Sequence, residues 1–148
     1  LGRKVQMHNG AAVAILREEI QGTIDSAAGH PSLQEHTVAL EAALTQMEAT
    51  VQTVATCSDR SLALANATIF LDAAGHIVIA WMWLKQAVAA LNGLADGNPA
   101  DRDFYQGKLA ATKFFFRYEL PKASAGLALV SELDSTCYDL TAEQFLGA

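Results

Sequence analysis

The chain has 148 residues, 51% hydrophobic and 18% charged, with ten Lys+Arg against sixteen Asp+Glu and a formal charge of −6. That length fits one domain and that composition excludes a disordered chain. The acidic balance is unsuited to nucleic acid or an anionic membrane as the main partner. Two cysteines, Cys57 and Cys137, form no disulfide framework and are expected to stay reduced, as in the cytoplasm.

The chain opens Leu1-Gly2-Arg3-Lys4, with no initiator Met and no apolar signal segment. It reads as a piece of a longer chain. Three prolines, Pro31, Pro99 and Pro121, punctuate an Ala-rich sequence without strand-like alternation. The first helical stretch runs from about Asn9 to Ala28, with Val13, Leu16, Ile20 and Ile24 on one stripe. Gly29-His30-Pro31 ends it.

A second helix begins at Ser32, where Ser32 and Glu35 have capping-box spacing. Leu40, Leu44, Met47, Val51 and Val54 then alternate four and three apart, a heptad-like seam. Cys57 to Ser61 is a polar break. The third stretch, Leu62–Leu94, is apolar nearly all round, so contacts are expected on several of its sides. It carries Asn66, Asp72, His76, Lys85 and Gln86, which argues against a membrane span. Gly93 and Gly97 mark its end.

Asn98 as cap and Pro99 at the first helical position start a fourth helix, predicted to reach about Val130. Pro121 lies inside it and predicts a kink, because it cannot donate to the Arg117 carbonyl. In the tail, 131–148, Thr141 and Gln144 repeat the capping-box spacing and predict a short helix. Four long helices joined by short turns imply an all-α, antiparallel up-and-down four-helix bundle with a short C-terminal extension.

Catalytic signatures are missing. No Glu-x-x-His pair, Cys-x-x-Cys pair, Gly-rich phosphate loop or Gly-x-Ser-x-Gly occurs, and His8, His30, His36 and His76 lack ligand spacing to one another. No metal, catalytic or cofactor-binding residue is assigned. Asp72 and His76, four apart, share a face of the third helix with Ile69, Ile79 and Trp83. They are read as a buried, hydrogen-bonded pair that orders the bundle. The competing functional reading is a tuned acid–base pair or a phosphorylatable histidine; the apolar flank Ile77-Val78-Ile79 speaks against the latter. Trp81, Trp83, Phe114, Phe115 and Phe116 are candidates for core or interface. Consecutive phenylalanines point to different sides of a helix, so one must face outward or toward a partner. Lys108, Lys113 and Arg117 read as a solvated face; the competing role is gripping a CoA phosphate.

The run from Asp72 to Ala87, DAAGHIVIAWMWLKQA, resembles the C-terminal domain of one acyl-CoA dehydrogenase subgroup, which carries an extra helical module after its catalytic core. Phe104–Leu109 (FYQGKL) followed by Phe115–Pro121 (FFRYELP) resembles that module's next helix. Leu1-Gly2-Arg3-Lys4 resembles the end of the stretch that closes the catalytic core, and the motifs fall in family order. The resemblance implies residues 1–8 as the end of a parent catalytic core, 9–130 as the bundle and 131–148 as a tail. It further implies a parent that uses FAD to oxidise acyl-CoA to 2-enoyl-CoA in fatty-acid β-oxidation. The family's Tyr-Glu-Gly-Thr stretch with the catalytic glutamate, its flavin-binding β-domain and its N-terminal helical domain have no counterpart here. No FAD is therefore expected on this chain alone. Its implied partners are the parent's catalytic core and other copies in a homo-oligomer. The alternative from another class is a free-standing interaction or phosphotransfer bundle.

Overall fold

A computed structural model of the chain describes residues 1, 2, 5 and 11–146. Among the described residues all regular structure is helical. The long elements are α1 (Ala11–Ala27), α2 (Gln34–Thr56), α4 (Ala67–Ala95), α5 (Arg102–Phe114) and α6 (Leu120–Ser131). Short elements are α3 (Arg60–Ala65), α7 (Ala142–Leu146), two 3-10 turns (Pro31–Leu33 and Pro99–Asp101) and a π turn (Phe115–Glu119).

The apolar spacings place the core. Phe70, Ala73, Ile77, Ala80, Leu84 and Ala87 alternate three and four apart along α4 and are all buried. Leu40, Leu44, Met47 and Val54 of α2 are buried as their spacing predicts, and so are Leu120, Ala123, Leu127 and Val130 of α6. On α1, Ile20 is fully covered while Leu16 and Ile24 pack against the cluster from its edge. Burying one such Leu or Ile contributes about 1.5–3 kcal/mol. Helix α4 packs on α1, α2, α5 and α6, which is why its sequence is apolar on so many sides. Along its contact with α5 and α6, Lys108 meets Gln86, Thr112 meets the Trp83 carbonyl and Gly126 meets Ile69. The numbers fall on one side as they rise on the other, so α4 runs opposite to α5 and α6. Helix α4 is also long and apolar enough to cross a membrane, by length and composition alone.

Four local expectations need correction. Ser32 and Glu35 make no capping box: Ser32 sits inside the 3-10 turn, and Leu33, in helical conformation, precedes α2 without a side-chain cap. The third stretch is two helices, broken at Asn66, whose side-chain amide donates to the Asp134 carbonyl at 2.8 Å. It starts two residues early because Asp59, in the presumed break, caps α3 by accepting from the amides of Ser61 and Leu62. Gly93 does not end α4 but lies within it; a Cβ there would collide with the Tyr105 ring of α5. The end is made by Gly97, at φ +76°.

Asn98 caps the next turn through the Ala100 amide at 3.2 Å, with Pro99 behind it. The expected irregularity at Pro121 is a π turn. Pro121 offers no N–H, the Leu120 amide reaches back to the Phe115 carbonyl, and α6 restarts with Pro121 in its first turn. In the tail the Thr141 amide donates to Gln144 Oε1 at 2.7 Å and opens α7. The segment read as the end of a catalytic core lies mostly outside the described residues, as do His8, Gly147 and Ala148; Leu1 and Val5 pack on the edge of the core.

Candidate functional site

The polar centre of α4 is His76. Its Nδ1 lies 2.9 Å from the Asp72 backbone carbonyl and 3.7 Å from the Asp72 carboxylate. Its Nε2 faces Glu119 Oε2 of the π turn at 3.8 Å. Glu119 accepts from Lys122 Nζ at 2.6 Å, and that hydrogen bond, with His76 as a lesser contributor, lowers its pKa. The expected burial of Asp72 is corrected: its side chain is 77% exposed, while that of His76 is 20% exposed. Asp72 stands nearer the outward face of α4, where water solvates it. His76 therefore joins α4 to the π turn and α6 more than it pairs within its own helix. The missing signal was Glu119, which lies forty-three positions on and meets His76 from the end of the π turn.

The five aromatic candidates separate. Trp81 and Trp83 are partly covered and seal the edges of the core. The Trp81 indole donates to Thr23 Oγ1 of α1 at 2.7 Å, and Lys85 Nζ lies 5.1 Å from the ring centroid. Lys108 Nζ lies 5.6 Å from Trp83. Phe115 packs partly against the core and tilts over His76 at 6.2 Å. Phe116 is 8% exposed and edge-on to His36, so of its two expected places it takes the core and is no interface residue. Phe114 faces outward and stacks on Tyr118.

The outward aliphatic side chains of α4 were missed: Leu71, Ile79 and Met82 are exposed, with Val78 half-buried between them. A helix apolar all round gives no sign of which side its neighbours leave uncovered, although the spacing of Leu71, Val78 and Met82 marks a stripe. Contiguous apolar surface of this kind marks contact sites.

Elsewhere, Arg17 ties α1 to α2 through Glu41 and Glu48, the latter at 2.9 Å, and these bonds raise its pKa. Among the described residues no three His, Cys, Asp or Glu side chains gather as a metal site. Cys57 and Cys137 are free thiols.

Comparison with known proteins places the chain. The family model described as acetyl-CoA dehydrogenase C-terminal like matches residues 16–141. A curated relative, the broad-specificity linear acyl-CoA dehydrogenase FadE5 of Mycobacterium tuberculosis, is 30% identical over 97% of this chain. The chain spans only 25% of that relative's length. The chain belongs to the acetyl-CoA dehydrogenase C-terminal-like family.

Proposed function

We propose that this chain is the accessory helical domain of an FAD-dependent acyl-CoA dehydrogenase and works by contact, not by chemistry of its own. In this reading α1, α2, α4 and the α5–α6 pair form an antiparallel up-and-down four-helix bundle spanning 9–130, with 1–8 closing the catalytic core and 131–148 as a tail. The bundle packs on that core in a cytoplasmic enzyme and helps hold its subunits together. His76 serves to order the bundle by tying α4 to the π turn. The observation that carries the proposal is the alignment of nearly the whole chain to a quarter of an acyl-CoA dehydrogenase. The outward stripe of Leu71, Ile79 and Met82 offers surface for such contact.

In the parent, bound flavin would take the hydride from the acyl chain. The residues described here do not fit a flavin. The buried hydroxyls of Thr23, Thr50 and Thr112 are all satisfied within the protein, and His36 Nδ1, the one buried side-chain nitrogen without a partner among the described residues, is too little to hold a ring system. The test compares this chain with its parent for the flavin absorbance band and for acyl-CoA-dependent reduction of an electron acceptor. The chain is expected to be colourless and inactive, the parent yellow and active. Stoichiometric FAD on the chain alone would overturn the proposal.

A further inference from the structure

A cleft of about 700 Å³ opens between the start of α2 and the π turn. Lys113 and Arg117, four residues apart, both line it. Like charges at that spacing repel each other. Arg17 and Lys122 are neutralised by carboxylates, but Lys113 and Arg117 form no ion pair among the described residues. In a chain of charge −6, two unpaired cations converging on one cleft call for an anion.

The remaining wall narrows the class of that anion. Ser32 and Tyr118 bring hydroxyls to the same cleft, and neither is hydrogen-bonded to protein among the described residues. A planar guanidinium, an ammonium and two hydroxyls match the several oxygens of a phosphate better than the two of a carboxylate. Burial lowers the His36 pKa, so its imidazole stays neutral and adds no charge. Glu35, on the wall as well, is the opposing charge. Phe116 and Pro121 add apolar surface. The volume is that of a small-molecule pocket, roughly 300–1,000 Å³, and far exceeds a lone phosphate ion.

We propose that this cleft binds a phosphate monoester. Arg117 forks onto two phosphate oxygens, Lys113 supplies a second charge, Ser32 and Tyr118 donate, and the organic body lies on Phe116 and Pro121. Arg117 and Tyr118 of the π turn form this wall together with Pro121 of α6.

The test is calorimetric titration of the 148-residue chain at low ionic strength with phenyl phosphate, inorganic phosphate and benzoate. Phenyl phosphate is expected to bind one to one, with inorganic phosphate about tenfold weaker or more and benzoate weaker still. Lys113→Ala and Arg117→Ala are each expected to weaken phenyl phosphate about tenfold or more. Arg117→Lys should restore only part of the loss, and Glu35→Gln should tighten binding. Lys85→Ala and Arg102→Ala, away from the cleft, should change nothing. The substituted side chains are exposed, and circular dichroism checks that each variant keeps its helices. Absence of saturable binding, or binding indifferent to both alanine substitutions, would overturn the site. Inorganic phosphate binding as tightly as phenyl phosphate would overturn the ester assignment.

Discussion

Helices α1 and α6 both pack on α4, yet they are held in different ways. Helix α1 is clasped by polar side chains: the Trp81 indole on Thr23, and Arg17 bridging to Glu41 and Glu48 on α2. Helix α6 lies close, through small residues. A Cβ on Gly126 would stand 3.2 Å from Ile69 Cγ2 and 3.7 Å from Ala73 Cβ, and Leu127 and Val130 are buried beside it. Thr50 of α2 is satisfied there by the Gln46 carbonyl and Ser131 Oγ, each at 2.9 Å. A polar clasp in contact with water contributes modestly and yields to salt and pH. A dry seam of small residues contributes more and tolerates little change in volume.

The largest expected effect is on the α6 side. Leu127→Ala should destabilise the chain by about 2–5 kcal/mol, read from urea unfolding. A loss under about 1 kcal/mol would mean the seam can collapse around the cavity and is not tightly packed. Gly126→Leu should cost about 1–3 kcal/mol by overpacking against Ile69 and Ala73; a neutral result would show room between the helices that the comparison denies. On the α1 side, Thr23→Val leaves the Trp81 indole without its acceptor and should cost about 1 kcal/mol, with a change in tryptophan emission. Arg17→Met should cost less than about 1 kcal/mol, a difference that shrinks in high salt. Equal losses for Leu127→Ala and Arg17→Met would erase the distinction.

His36 gives the comparison a pH dependence. Burial lowers its pKa below the ordinary value of 6.5, and its Nδ1 is buried without a partner. The unfolded chain therefore binds the proton more readily, so the stabilising effect of neutral His36 is present above pH 6.5 and declines as the pH falls below it. His36→Phe should flatten that part of the stability profile and keep the contact with Phe116. An unchanged profile would place the titrating group elsewhere.

The sequence carried most of the fold and little of its close contacts. The seams of α2 and α4 and the Asn98-Pro99 start were legible because they depend on local spacing and local caps. Pro121 announced a break, since a missing N–H disrupts a helix interior, but not that the chain would answer with a π turn. Ser32 misled because the capping pattern cannot tell a cap from a residue inside a preceding 3-10 turn. Gly93, Gly126 and Glu119 were opaque for one reason: each owes its role to a side chain arriving from a distant segment. The stripe on α4 had the same difficulty, since only the packed structure distinguishes its covered sides from its open one.

The claim that this domain works by contact is tested most directly by sedimentation velocity on the chain over a wide concentration range, beside a Leu71→Glu, Met82→Glu double variant. The account predicts that the unsubstituted chain associates, most simply as a two-fold dimer, and that the variant sediments as a folded monomer. A strict 15.7 kDa monomer for the unsubstituted chain at every concentration, or a dimer indifferent to both substitutions, would contradict it.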